Sequence, residues 1–167
     1  MALSIPEQIP DSFLGPIQEF LAWIQLEKGL SENTVQGYLN DLAQAAIYLN
    51  RHHVTRWEEV EGSDLSHWVT HLGKEGYAAA SIGRKLSALR VFSRFLVREG
   101  DRENDFTEIL HGPRNRRKLP ETLTVEEVSR LLSAPAVGTP LGNRDRAMLE
   151  LFYSSGLRVS ELCGLTL

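Results

Sequence analysis

The sequence predicts an all-α protein, in which a four-helix bundle is followed by a shorter, mainly helical region. Three observations support this fold class. Apolar residues recur at three- to four-residue intervals through most of the chain, as they do along one face of an amphipathic helix. Glycines and prolines interrupt that periodicity where helices would end. Of the 167 residues, 42% are hydrophobic and 24% are charged, which is typical of a chain that buries a core.

The four helices of the predicted bundle lie within residues 12–100, after a tail at residues 1–11. Each begins or ends at glycines or at residues that cap helices, such as Ser31 before the second helix. We expect the helices at residues 12–28, from 31 through at least 49, from 63 or 64 to 73, and from 80 or 81 to 99. Short connections between them favour a compact bundle.

Residues 101–120 are predicted to link this bundle to a second region at 121–167. A short helix is expected at 104–110. The stretch 112–120 contains two prolines, a glycine and four cations, which is typical of an exposed linker.

The second region is predicted to be helical at about 124–132, 144–154 and 158–163. Thr124 and Glu127 have the spacing of a capping box. The apolar end at 164–167 is expected to begin a strand. A region of about 47 residues rarely forms a self-sufficient core, so we expect it to be the truncated start of a larger domain.

The net charge of −4 argues against a uniformly basic nucleic-acid binder, but the charges are unevenly distributed. Residues 1–79 contain 4 Lys or Arg and 11 Asp or Glu, whereas residues 80–118 contain 10 and 5. The basic charge is therefore confined to the fourth helix and the linker. Because local charge determines where a polyanion binds, DNA binding is compatible with the acidic total.

One face of the fourth helix is predicted to be basic, with Ser87 on it and Lys85 at its flank. The arginines opposite the apolar arc are Arg84, Arg90, Arg94 and Arg98. A guanidinium can hold a phosphate or a guanine edge with two hydrogen bonds. The alternative is a solvent-exposed face whose arginines pair with Glu99 or Asp101. The sequence of this helix alone favours that alternative at least as much as DNA binding.

The linker cations also have two interpretations. They are Arg114, Arg116, Arg117 and Lys118. They could follow a DNA backbone, or they could keep a flexible spacer soluble. The linker sequence alone favours neither interpretation.

No metal site, cofactor or small-molecule substrate is predicted. His67 and His71 have a spacing that could present two imidazoles to zinc, but no third ligand accompanies them, and an exposed helix face is expected. The sequence has no glycine-rich phosphate loop, no Ser/His/Asp arrangement and no apolar run long enough to cross a membrane. The single cysteine, Cys163, is expected to be a small core side chain, and its isolation fits a reducing cytoplasm.

Four motifs resemble the tyrosine site-specific recombinases, and their closest resemblance is to the Xer branch. Within residues 141–165, the run Gly156-Leu157-Arg158-Val159-Ser160-Glu161-Leu162 resembles the family's first catalytic-arginine motif. Residues 119–128 resemble its interdomain junction. Residues 29–42 and 81–90 resemble the second and fourth helices of its SAM-like core-binding domain. The resemblance covers residues 12–167 in the family's order.

The resemblance implies that the chain clamps double-stranded DNA between its two regions. The residues implied to face DNA are Ser31, Thr34, Arg84, Lys85, Ser87 and Arg90, together with Arg114, Arg116, Arg117 and Lys118 in the linker. Intact members of the family form a tetramer on two recombination sites. The implied roles are DNA integration and recombination, including chromosome dimer resolution.

The family's reaction cuts and rejoins DNA through a 3′-phosphotyrosine, without a metal or ATP. Arg158 matches the first active-site arginine, which stabilises the pentavalent transition state, and Glu161 is placed to orient it. The family's lysine, His-x-x-Arg motif, later His or Trp, and nucleophilic tyrosine would lie beyond residue 167. We therefore expect a DNA-binding amino-terminal portion that catalyses nothing by itself.

Two sequence features imitate parts of that active site. His111 and Arg114 spell His-x-x-Arg, but they precede Arg158, whereas the family motif follows it. Tyr153 lies five residues before Arg158 on an apolar helix, so it is expected to be a core residue and not the nucleophile.

Two alternatives to the recombinase portion remain at this point. The chain could be a stand-alone, non-catalytic DNA-binding or regulatory protein derived from the clamp domain. It could also be a bundle whose basic faces dock acidic proteins. The reading frame after codon 167 would distinguish the first alternative, and a salt-titrated gel shift would distinguish the second.

Overall fold

The computed structural model describes residues 9–112 and 122–166, and within these residues it contains seven α-helices and no strand. The all-α class predicted from the periodicity is therefore confirmed. The chain divides into two compact units at Arg116 and Arg117, inside the predicted linker, and each unit is described by itself. In the described part of the chain, no helix is both long and apolar enough to cross a membrane.

Four long helices form the amino-terminal unit, and each lies within two residues of its predicted bounds. They are α1 (Asp11–Leu26), α2 (Glu32–Arg51), α3 (Gly62–Lys74) and α4 (Ala79–Glu99). Ser31 caps α2, because its hydroxyl accepts a hydrogen bond from the backbone N–H of Thr34. Gly100 ends α4 in the left-handed conformation, with φ of 87°.

The core of this unit is an apolar cluster to which all four helices contribute. Helices α2 and α4 each contact the other three. At its centre the ring centroids of Phe20 and Phe92 lie 5.3 Å apart, and Trp57 packs edge-on against Phe13 and Phe92. Trp57 begins a 3₁₀ turn (Trp57–Glu59) that the sequence did not predict, and its indole N–H donates to the carbonyl of Phe13 at 3.1 Å.

The segment that follows α4 packs back on the bundle. Arg102 donates from Nη1 to the carbonyl oxygens of Trp57 and Glu58, at 2.6 and 2.7 Å, while Phe106 and Leu110 are buried. The prediction of a helix at 104–110 is wrong, because these residues form turns and bends. The predicted linker begins at 101, but residues 101–112 are docked on the amino-terminal unit.

The second unit contains three helices, α5 (Val125–Ser133), α6 (Pro140–Ser155) and α7 (Val159–Cys163). The capping box of α5 is confirmed: the Thr124 hydroxyl accepts from the Glu127 N–H at 3.2 Å, and the Glu127 carboxylate accepts from the Thr124 N–H at 2.8 Å. Helix α6 begins four residues before its predicted start, because Thr139 caps it and proline suits the first helical position.

Three predictions for the second unit are wrong. Cys163 and Tyr153 were expected in a core, but both are exposed. Residues 164–166, expected to begin a strand, form none. Among the described residues of this unit, only Gly142 and Leu162 are buried. Helical periodicity identifies an apolar face, but burial also requires an opposing surface.

Candidate nucleic-acid interface

The cleft between α2 and α4 brings together several of the predicted DNA-facing residues. Its volume is about 420 Å³. The lining residues are Asn33, Thr34, Gly37, Tyr38, Asp41, Arg84, Ser87 and Ala88. Positions 34, 37, 38 and 41 of one helix, and 84, 87 and 88 of the other, have the three- and four-residue spacing of a single face. We call this surface the α2/α4 cleft.

Hydroxyl groups lie at the start of α2 and on the facing side of α4. Ser31 and Thr34 are hydrogen-bonded to each other, with their hydroxyl oxygens 2.9 Å apart. The Ser87 hydroxyl donates to the carbonyl of Gly83 at 3.0 Å, and its oxygen retains acceptor capacity. The amino-terminal end of a helix carries partial positive charge, so the hydroxyls of Ser31 and Thr34, at the start of α2, lie in a region that favours anions.

Arg84 is the cation of the α2/α4 cleft. Its Nη1 donates to Oδ2 of Asp41, which lies across the cleft on α2. The Arg84 side chain is 58% exposed, whereas that of Asp41 is 1% exposed. One edge of the guanidinium is therefore held by a buried carboxylate while the group remains accessible from solution.

Lys85 occupies a different environment from the one predicted. Its side chain is only 4% exposed, and its Nζ lies 3.0 Å from Oδ1 of Asp41 and 2.7 Å from Oε1 of Gln44. A direct phosphate contact requires an accessible ammonium, so Lys85 is not available for that contact in this structure. It supplies instead the positive charge that compensates the buried Asp41 carboxylate.

The other three arginines of α4 have protein partners. Arg90 donates from Nη2 to the carbonyl of Leu110 at 2.9 Å, which ties the segment after α4 to the helix. Arg94 donates to the carbonyl of Arg90 at 3.1 Å. Arg98 pairs with Glu99 at 2.6 Å and stacks 4.4 Å from the Trp23 ring centroid. Of the four arginines on the basic face, only Arg84 lines the α2/α4 cleft. The other three are bonded to protein groups outside that cleft.

Arg158 lies in the second unit, at the N-cap of α7. Its backbone N–H donates to Glu161 Oε2 at 2.7 Å, and its Nη1 lies 3.3 Å from Oε1 of the same carboxylate. The Arg158 side chain is 83% exposed. Glu161 is therefore in contact with the arginine, and the guanidinium remains open to a ligand. The predicted linker contacts Arg114, Arg116, Arg117 and Lys118 lie outside the described residues.

Sequence reasoning missed Asp41, Asn33, Gly37 and Tyr38 as parts of the α2/α4 cleft. One signal was available, because Asp41 falls beside Leu42 and two residues after Leu39, within the apolar part of α2. A charged residue at a core position of a helix requires a partner. The identity of that partner depends on the packing of α4, which no spacing within α2 predicts.

His52, His67 and His71 line a separate groove between α2 and α3. The Tyr48 ring centroid lies 4.3 Å from that of His52 and 5.1 Å from that of His71. His67 and His71 are exposed, as predicted. Among the described residues, no cluster of three or more metal-ligating side chains occurs.

Known families match both regions of the chain. Residues 17–100 match the family described as "Phage integrase, N-terminal SAM-like domain", and residues 121–167 match the "Phage integrase family". The tyrosine recombinase XerD of Staphylococcus aureus is 41% identical over 151 residues, which cover 90% of this chain and 51% of that protein. The tyrosine recombinase XerC of Natranaerobius thermophilus is 41% identical over 150 residues, covering 89% and 50%.

The chain spans about half the length of the curated relatives it matches. Its two matched regions follow the order that the motifs implied, with the SAM-like domain first. The recombinase resemblance is thereby confirmed. The chain belongs to the phage integrase family of tyrosine recombinases and corresponds to the amino-terminal portion of a XerC- or XerD-like protein.

Proposed function

We propose that the α2/α4 cleft binds the backbone of double-stranded DNA and that this is the task of the amino-terminal unit. The observation that carries the proposal is the accessible Arg84 guanidinium, which lines the same cleft as Thr34 and Ser87. Arginine and hydroxyl side chains are among the groups with which proteins hydrogen-bond to DNA phosphates. Family membership favours DNA over an acidic protein as the ligand.

The role proposed for the whole recombinase is cutting and rejoining DNA through a 3′-phosphotyrosine. In that reaction Arg158 would donate hydrogen bonds to the phosphoryl oxygens as negative charge accumulates on them. Glu161 would hold the arginine in place, which the 3.3 Å contact between Nη1 and Oε1 supports. The proposal includes a tetramer on two DNA sites and a cytoplasmic location.

A gel-shift titration with a DNA duplex over a range of salt concentrations tests the DNA-binding proposal. Each phosphate neutralised contributes about −0.9 to the slope of log K against log salt. Arg84→Ala should weaken binding and reduce the magnitude of that slope by about 0.9. Arg158→Ala is the matched control, and it should bind almost as the unmodified chain does, because that guanidinium acts on the transition state.

Two outcomes would contradict the proposal. Absence of DNA binding at low salt would favour the docking of an acidic protein. A large loss of affinity from Arg158→Ala, with none from Arg84→Ala, would place the interface in the second unit.

A further inference from the structure

Asp41 is a buried carboxylate with two cationic partners from the facing helix. It is 1% exposed and lies beside Leu42 in the core of the amino-terminal unit. Lys85 Nζ lies 3.0 Å from its Oδ1, and Arg84 Nη1 donates to its Oδ2. An ionised group in such a place is stable only when it is paired and hydrogen-bonded. Both requirements are met here, and they are met by different cations on the two oxygens.

The two cations differ in what else they contact. Lys85 is buried and is shared between Asp41, Gln44 and the ring of Tyr77, whose centroid lies 5.5 Å from Nζ. It therefore neutralises the carboxylate from inside the protein. Arg84 is mostly exposed, and its bond to Asp41 uses one of the five N–H donors of a guanidinium. The other four N–H donors of the Arg84 guanidinium are not used by Asp41, and the bond to Asp41 already restricts their position.

We propose that Asp41 is a positioning residue for DNA binding, which fixes the guanidinium of Arg84 in the α2/α4 cleft. This inference rests on the proposed function of that cleft. A free arginine side chain has many rotamers and loses conformational entropy when it binds a phosphate. Arg84 has already been restricted by Asp41 when the protein folds. Lys85 makes this arrangement stable, because it compensates the carboxylate and leaves the charge of Arg84 available to the ligand.

The sign of the effect of Asp41→Asn separates positioning from simple electrostatics. The substitution removes a negative charge from a surface that binds a polyanion, so electrostatics alone predicts tighter binding. Loss of the carboxylate that holds Arg84 predicts weaker binding. Asp145→Asn is the matched control, since Asp145 also pairs with an arginine, Arg144, at 2.7 Å, but lies in the second unit.

The experiment measures the dissociation constant for a fluorescently labelled DNA duplex by anisotropy, using the whole chain. We expect Asp41→Asn to weaken binding by roughly three- to tenfold, the effect of losing one charge-assisted contact. Asp145→Asn should leave binding unchanged or slightly tighter. In an Arg84→Ala background, Asp41→Asn should cause no further loss, because Asp41 acts through Arg84.

A merely structural role for Asp41 would weaken binding equally in both backgrounds, and that result would overturn the proposal. So would an affinity for Asp41→Asn equal to or above that of the unmodified chain. If the unmodified chain binds no DNA at low salt, the proposed function itself fails, which is a different result from either of these.

Arg84→Lys provides a second test that does not alter the buried carboxylate. It keeps the charge but replaces the planar fork, which can hold Asp41 and a phosphate at once, by a single ammonium. We expect it to weaken binding nearly as much as Arg84→Ala does. Binding equal to that of the unmodified chain would show that the fork is unnecessary, and would overturn the proposal.

Discussion

Both units of the chain are helical, but their apolar side chains have different environments. In the amino-terminal unit most of the large apolar residues of α1 to α4 are buried in one cluster, and Leu26 at the end of α1 is an exposed exception. In the second unit most of the described apolar side chains are solvent-exposed. Those with more than a third of their surface exposed are Leu123, Val125, Leu131, Val137, Leu141, Met148, Leu151, Tyr153, Val159 and Leu165.

The comparison shows that a helix can be specified in two ways. In the amino-terminal unit, tertiary packing and local signals agree. In the second unit, local signals are prominent: a capping box at Thr124, a cap at Thr139 and a left-handed Gly156 define the ends of α5 and α6. Each local signal contributes about 1 kcal/mol, whereas a large core side chain contributes several times more. The loss of stability caused by a substitution should therefore be larger in the amino-terminal core than at the helix ends of the second unit.

The largest effect is expected for Phe20→Ala in the amino-terminal core. Phe20 is fully buried, and its ring packs against those of Tyr38, Phe92 and Phe95. We expect the free energy of unfolding of this unit to fall by about 3–5 kcal/mol. Urea unfolding followed by tryptophan fluorescence would measure the change. Leu151→Ala in α6 is the comparison, and because the second unit has no tryptophan its unfolding would be followed by circular dichroism. An equal effect from the two substitutions would contradict the contrast between the units.

A smaller effect is expected for Gly142→Ala at the start of α6. A Cβ at this position would lie 1.9 Å from the carbonyl oxygen of Ala136, so the backbone would have to move. We expect a destabilisation of about 1–3 kcal/mol, as for other overpacked sites. Thermal unfolding followed by circular dichroism would measure it. Gly37→Ala, where no atom lies within 4 Å, is the control, and a greater loss there would refute this assignment.

Thr124→Ala tests the local signal at the start of α5. The substitution removes the hydroxyl that accepts from the Glu127 N–H, and we expect a loss of about 1 kcal/mol in the stability of this helix. Amide hydrogen exchange at Glu127 should become faster. Thr122→Ala, just before the helix, should leave the exchange rate unchanged. Equal protection of Glu127 in both variants would show that the cap is not needed.

The smallest effect concerns Asp105, in the segment docked behind α4. Burial opposes ionisation, but hydrogen bonds to the carboxylate, two of them from Thr107, and the nearby Arg94 hold the pKa of Asp105 below its ordinary value. A lowered folded-state pKa stabilises the protein above the unfolded-state value of about 3.9, and this stabilisation is lost as the pH falls through the folded-state pKa.

Asp105→Asn should therefore destabilise the amino-terminal unit slightly at neutral pH. The difference between the two proteins should shrink as the pH falls below about 4. Urea titrations at several pH values would measure it. A difference that stays constant with pH would show that ionised Asp105 contributes nothing to stability.

Local patterns predicted the helices, and tertiary contacts explain most of what they missed. The bounds of α1 to α4 and the capping box at Thr124 follow from residues that are neighbours in sequence. The burial of Lys85 does not, because it depends on Asp41, which lies 44 positions away on another helix. The bond from Arg90 to Leu110 likewise depends on how the segment after α4 docks.

The site was predicted to a similar extent. Thr34, Arg84 and Ser87 line one cleft, because Thr34 lies on the face of α2 that packs towards α4, and Arg84 and Ser87 lie on the facing side of α4. A helical-wheel projection of α4 places Arg84 and Arg90 on the same face, and it contains no information on the residues of other segments that contact them. Only the packed structure distinguishes the exposed arginine from the one bound to a backbone carbonyl.

The three tryptophans of the chain, Trp23, Trp57 and Trp68, all belong to the amino-terminal unit. Trp57 and Trp68 are almost completely buried, so their emission should shift to longer wavelengths when that unit unfolds. The second unit has no tryptophan and contributes only Tyr153 as a fluorophore. Excitation at the red edge of the indole band therefore reports on one unit alone. Comparison with circular dichroism, which registers both, reveals whether the two unfold together.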